Sequence, residues 1–418
     1  MGRSTILIGG VVALSMVLAH AHAGTAHYDI KAKLDLAAGT VKADVAITLP
    51  PEEVGEETAF VLGDWINLHH AHAAGATVHT EPTDKPFKGL SKIVFDFKSP
   101  PTRPVTLHFR YDGPLRAAGE KPSIDPAEGV ELGFEDAWVP VRPNFSLLFT
   151  VDADIRGVPA ADVVVAQGEI HHESDRLTIH RVFEDLDMPF SALSALQRTV
   201  EPDIEVYARH PDGVLETAYR KEAAPIVAYY SKLFGPLPPS ALPERLVVLP
   251  RHGAAYERRA YISIPDGTEE LKTSKIAIED WMLVGTMSHE ISHGWWWRAD
   301  PLTENHWLNE SLAEYSSMRF TEDTFGADAL KQRIDYKREP AKTAGPLTGH
   351  GRPSKNALYA KGPLLLFDLD ARIGRAHMDT LLGIIGHNPP KTTAEFLKAL
   401  ADVAGPDVAK EFESQLSS

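Results

Sequence analysis

MSHEISHGWWWRADPLTENHWLNES, residues 287–311, carries two histidines four positions apart, a glutamate directly after the first, and a further glutamate at 310 inside WLNES. Leu283, Val284, Met287 and Ile291 recur around it at helical spacing, which predicts a helix packed on a core. Residues four apart on a helix lie on one face, one turn above the other. His289 and His293 can therefore turn imidazole nitrogens toward one zinc ion about 2 Å away, while Glu290 points to a neighbouring azimuth. With 19 histidines in 418 residues, such a pattern can also arise on an ordinary helix carrying two satisfied histidines. A catalytic zinc needs more, namely a third protein ligand and one open position for water. Glu310, on a second amphipathic segment, is the candidate, with Glu314 and His306 as alternatives.

Around this stretch the sequence reads as a mixture of helices and strands. ETAYRKEAAPIVAYYSKLF has helical spacing and stops at Gly235 before a proline cluster, a strong breaker. RLVVLP and AYISIP read as strands, and residues 338–357 read as one long loop, a kind of segment that often carries function. From Tyr28 to about Gln197 the texture differs. HYDIKAKLDL, TVKADVAITL, KIVFDF, PVTLHFRYDG and RLTIHRVF alternate apolar and polar residues between turn-rich segments, as half-buried strands do. Strands without intervening helices indicate an antiparallel sandwich or saddle. The division is a β domain over 24–200 and an α+β domain over 201–418. The His-rich stretch LHHAHAAGATVH (68–79) alternates like a strand face and can also be read as a metal-binding tract.

Composition narrows the classes. Hydrophobic residues make up 43% and charged residues 24%, ordinary for a globular protein. Arg3, the apolar run ILIGGVVALSMVLA (6–19) and the small-residue pattern Ala21-His22-Ala23 read as a signal peptide over 1–23 that is removed on export. The expected location is therefore the periplasm or the exterior, with no membrane association after cleavage. There is no cysteine, so no disulfide, thiolate nucleophile or thiolate metal ligand is available. The formal net charge of −16 disfavours nucleic acid and anionic membrane surfaces as partners.

Taken in order, HEISHGWWW, WLNESLAEY and YAKGPLLL (359–366) resemble the aminopeptidase N group of gluzincin zinc metallopeptidases, which includes leukotriene epoxide hydrolase. AWVPVRP, VYARHPDG and YYSKLFGPLPP extend the resemblance over nearly the whole chain after the signal. The resemblance implies a β-saddle N-terminal domain and a thermolysin-like catalytic domain. It implies one zinc per chain held by His289, His293 and Glu310, with Glu290 as general base and Tyr359 as the hydroxyl that meets the transition state. It also implies peptide substrates whose free amine is gripped by Glu257, in AAYER (254–258) where the family has GxMEN, and by Glu135 in LGFEDAW (132–138).

Three departures accompany this resemblance. The spacer between His293 and Glu310 holds sixteen residues, fewer than is usual, and AAYER keeps only the glutamate of its motif. The sequence also stops where the catalytic domain does, so the helical C-terminal domain is expected to be absent and the cleft open. The favoured reading is an exported zinc aminopeptidase. An open-cleft zinc endopeptidase and a non-catalytic zinc-stabilised binding module are the alternatives.

Overall fold

The computed structural model describes residues 24–84, 88–116, 122–201, 204–210, 213–237, 244–267 and 280–418. The signal-peptide reading of 1–23 lies outside them. Among the described residues, no helix is long and apolar enough to cross a membrane.

The N-terminal part is built from strands whose alternation is visible in their burial. In Ala26–Asp35, every second side chain is buried and those between are mostly exposed. A seven-stranded sheet runs in the order Glu169–Glu173, Arg176–Asp185, Phe149–Arg156, Ala26–Asp35, Thr40–Leu49, Val105–Pro114, Asn67–Ala73. Its pairs are antiparallel except one: Ala26–Asp35 runs parallel to Phe149–Arg156. The purely antiparallel expectation therefore misses one pairing, because strands so far apart in sequence need no tight hairpin and can align either way. Two three-stranded sheets complete this part. Tyr28, Ile47, Phe95, Phe109, Tyr111 and Trp138 fill a common core. The buried hydroxyls find carbonyls: Tyr28 donates to Pro140 O and Tyr111 to Trp138 O.

A five-stranded sheet begins the second part, in the order Gln197–Glu201, Ile204–Ala208, Glu244–Leu249, Tyr261–Pro265, Tyr256–Arg258. Its inner pairs are parallel and the last is an antiparallel edge strand. Because side chains alternate, the sheet faces two ways. Leu246, Val248, Ile262 and Ile264 pack with the helices, while Val247, Leu249 and Tyr261 pack with Val165 and Leu193 from the β domain.

The helices are α1 (Val214–Phe234), α2 (Asp280–Ser292), α3 (Trp307–Phe325), α4 (Ala327–Lys342), α5 (Gly362–Ile373), α6 (Arg375–His387), α7 (Thr393–Ala404) and α8 (Pro406–Leu416). Together with the sheet they enclose a second core that contains Tyr230, Trp295, Trp296, Trp307 and Phe396. Where the sequence reads a loop from Arg338 onward, α4 instead continues to Lys342. Its buried Ala329, Leu330, Arg333 and Lys337 keep helical spacing to that point, and Pro340 falls in the last turn. The architecture is α+β, with a β domain followed by a mixed domain.

Candidate metal centre

Helix α2 buries Leu283, Val284, Met287 and Ile291 against the core. Its last residues close with tight turn bonds from His293 N to Glu290 O (3.1 Å) and from Gly294 N to Ile291 O (3.2 Å). Those bonds keep His293 beneath His289. His289, Glu290 and His293 offer ligand atoms within 4.8 Å of one another, and they are the metal-competent cluster found among the described residues.

Helix α3 brings the third group. Asn309 clamps the incoming loop by accepting from Ala299 N (3.1 Å) and donating to Ala299 O (2.9 Å). Ser288 of α2 and Ser317 of α3 lie 2.7 Å apart, and Trp296 donates to Ser316 (2.9 Å). Held in this way, Glu310 Oε2 stands 3.4 Å from His289 Nε2 and 3.7 Å from His293 Nε2.

These spacings fit a bound metal. Ligands 2.0–2.1 Å from a tetrahedral zinc are separated by about 3.3 Å, close to both distances. Among the described residues Glu310 Oε2 is buried without a hydrogen-bond partner, an orphan that a protein interior does not normally leave. The outward nitrogens are occupied: His289 Nδ1 pairs with Glu314 Oε2 (2.9 Å) and His293 Nδ1 with Trp296 O (3.0 Å). With each Nδ1 paired outward, both Nε2 atoms are left facing Glu310, the orientation in which protein histidines meet zinc.

This arrangement also sorts the alternatives. Glu314 sits behind His289, held by Arg333 (2.7 Å) and Lys337 (2.7 Å) of α4. His306 Nε2 lies 3.4 Å from the other oxygen of Glu310. Neither occupies the point where the two Nε2 atoms converge. The histidines of 68–79 are elsewhere, on exposed strands, where His69 pairs with Asp112 (2.7 Å) and His79 with Asp96 (3.0 Å).

The remaining residues line a cleft of about 510 Å³ with the metal cluster at one side. Tyr359 lies on a π-helical turn, Ala357–Lys361, just before α5, a backbone form that recurs at functional sites. Its ring stacks on His289 with centroids 5.7 Å apart. The turn is pinned by Ser311, which donates to Leu358 O (2.8 Å), and by Lys337, which donates to Tyr359 O (2.8 Å). Glu257 pairs in register with Ile262 and so projects from the helix-covered face of the sheet into the cleft. Its neighbours Tyr256 and Arg258 face the β domain, where Tyr256 donates to Glu131 (3.0 Å) and Arg258 to Asp187 (3.1 Å). Glu135 reaches the same cleft from the β domain, half-exposed and 3.6 Å from Arg251.

No family model matches the sequence, and no curated protein does. Solved structures do match. A two-domain M1 zinc metallopeptidase bound to L-tryptophan aligns over 94% of this chain and 94% of its own, with a TM-score of 0.70 and 17% identity. The M1 zinc metallopeptidase from Deinococcus radiodurans aligns over 94% and 93%, at 0.68 and 18%. Leukotriene A4 hydrolase from Saccharomyces cerevisiae aligns over 94% of this chain and 67% of its own, at 0.69 and 15%. The fold is that of the M1 zinc metallopeptidases. At such identities the likeness speaks for the fold, and the chemistry of this chain rests on its own residues.

The electrostatics of this centre follow from burial and neighbours. Burial lowers His289, but the carboxylates of Glu310 and Glu314 outweigh it and push it up to about 10. Burial lowers His293 to about 4. Burial resists ionising Glu310, yet His289 and His293 hold it well below the usual carboxylate range. Glu290 goes the other way, its burial pushing it up to about 7. Glu257 is also raised, by burial first and then by the carboxylates of Glu244 and Asp185. Those two cleft residues, like the Arg333–Lys337 pair behind Glu314, escape sequence reading. Arg333 and Lys337 offer only an i,i+4 basic pair, and Glu244 only an acid at the start of a strand.

Proposed function

We propose that this protein is a zinc-dependent peptidase and, more narrowly, an aminopeptidase. The observation that carries the zinc reading is the partnerless Glu310 Oε2 facing two imidazole Nε2 atoms whose other nitrogens are committed elsewhere. Zinc bound there would act as a Lewis acid and lower the pKa of a coordinated water to about 7.

The chain's own groups supply the rest. Glu290 lines the cleft beside the ligand set. Its raised affinity for a proton suits it to take one from the attacking water and return it to the leaving amine, since efficient acid–base groups titrate near the working pH. Tyr359 Oη, half-buried beside Glu290 and Glu310, remains protonated and can donate to the oxyanion that develops on the scissile carbonyl. Glu314 holds His289 in one tautomer and ring orientation.

The narrower reading rests on Glu257. A substrate ammonium entering the cleft loses water, which is tolerable only against a paired carboxylate. Glu257 projects into the cleft from the edge strand and Glu135 from the opposite domain. Unblocked peptides should therefore be cut one residue from the N-terminus, and acetylated ones barely. Equal cleavage of the two would favour the endopeptidase reading. Glu290→Gln should retain the metal and lower turnover by about 10²–10⁴; near-normal turnover would leave a zinc-stabilised binding module. Residues 1–23 are proposed as a cleaved export signal, which N-terminal sequencing of the exported protein tests.

A further inference from the structure

The far end of the cleft holds a charge arrangement that neither hydrolysis nor amine binding uses. Glu244 is 2% exposed and lines the cleft; among the described residues no side chain hydrogen-bonds its carboxylate, and the backbone N–H of Ala260 is the one polar group turned toward it. The group costs free energy to bury in that state, so its position calls for a ligand. By register it belongs with Leu246 and Val248 on the helix-covered face of the sheet, the same face from which Glu257 projects.

Asp185 joins it from the β domain. It is 7% exposed and follows a break in strand register between Arg181 and Asp185, the kind of irregularity that re-aims a side chain. Gln167 holds one of its oxygens (2.5 Å) and the Leu186 N–H the other (2.6 Å). Of the nearby cations, Arg258 is committed to Asp187 (3.1 Å). Arg259 lies against the ring of Phe183 at 5.2 Å and offsets Glu244 only in part.

Helix α2, which carries His289 and Glu290, packs against Tyr256–Arg258 and Tyr261–Pro265, whereas Glu244 lies one strand further into the sheet. Glu257 is therefore nearer the reacting end than Glu244 is. The backbones of Glu244 and Glu257 are two strand spacings apart and offset by two residues, since Leu246 is the residue level with Glu257, which separates them by about 12 Å, and both line the cleft.

We propose that Glu244 and Asp185 form a subsite for a cationic side chain, so that the preferred substrate begins with lysine or arginine. This rests on the aminopeptidase reading, in which Glu257 holds the α-ammonium. A second cation is then needed for Glu244, and a long basic side chain extending past the amine supplies it. Its apolar stem runs along the cleft wall, and its charged head meets a carboxylate that is already desolvated. An arginine fork would meet Glu244 and Asp185 together.

The test uses the full zinc-loaded protein and compares binding of L-arginine with L-norleucine by calorimetry, since both carry the α-amine and only one the side-chain charge. Arginine should bind at least about tenfold more tightly, as a charge-assisted bond requires, and Glu244→Gln should shrink that ratio to about threefold or less. The ratio of kcat/KM for arginyl over leucyl substrates should fall in parallel, with Asp185→Asn as the second variant. If norleucine binds in a manner that Glu257→Gln weakens while arginine shows no excess, the subsite is refuted and the amine anchor stands. If neither amino acid binds, both fall. An arginine excess that survives Glu244→Gln and Asp185→Asn would likewise overturn the assignment.

Discussion

Replacing Gly362 by alanine is the sharpest test of how Tyr359 is held. A β-carbon built on Gly362 would sit 2.0 Å from Ser311 Oγ and 2.6 Å from Ser311 Cβ. The hydroxyl could rotate away, at the cost of its bond to Leu358 O (2.8 Å), but Ser311 Cβ is fixed to α3 next to Glu310. Non-bonded carbons prefer about 3.5–4.0 Å, so the start of α5 and the π turn before it must retreat by about 1 Å. Overpacking of this kind costs about 1–3 kcal/mol, and a displacement of about 1 Å at a reacting group costs about 10²-fold in rate. The backbone at Gly362 is ordinary right-handed helix (φ −56°). Without the contact, alanine would therefore stabilise the helix by about 1 kcal/mol. The two accounts predict opposite signs. Denaturant unfolding and kcat on an unblocked peptide should both fall in Gly362→Ala, and Ser311→Gly should recover part of each in the double variant. A Gly362→Ala protein that is more stable and fully active would refute the close approach of these two elements.

Other outcomes follow from the same geometry. Glu310→Ala should lose most of its zinc, and Glu314→Gln, which removes the partner of His289 Nδ1, should weaken zinc affinity by about 10–100-fold; full metal retention in Glu310→Ala would move the ligand role elsewhere. Tyr359→Phe should keep zinc while kcat drops about 10²-fold, and unchanged turnover would remove its hydroxyl from the chemistry. Asp136 tests pH dependence: burial pushes it up to about 8, against about 3.9 unfolded. The folded chain therefore holds the proton longer, so this group makes stability fall as pH rises from about 4 to about 8. Asp136→Asn should flatten the corresponding fall in Tm, and an unchanged slope over that window would assign it to other groups.

Legibility differed by element for physical reasons. The spacing of Leu283, Val284, Met287 and Ile291 announced α2, because a buried helical face leaves a period in the sequence. Helical periodicity could not choose among Glu310, Glu314 and His306. The proposed choice of Glu310 rests on which imidazole nitrogen each group faces, and ring orientation leaves no trace in spacing. Tyr359 carried no signal of its own, since a π turn has no period to read and only the YAKG resemblance pointed to it. The inward aim of Glu257 depends on its register with Ile262, which a three-residue edge strand cannot declare alone. Glu244 and Asp185 were invisible because a buried acid reads in sequence like a solvated one. The parallel pairing of Ala26–Asp35 with Phe149–Arg156 is a long-range choice, and local alternation is blind to strand direction.

The central claim is that hydrolysis depends on zinc held by His289, His293 and Glu310. Peptidase activity on an unblocked peptide, followed through chelation and stoichiometric zinc return, tests it most directly. The account predicts that activity disappears with the metal and returns when about one zinc per chain is restored, and that it does not return in Glu310→Ala. Activity that persists in the fully chelated protein would contradict it.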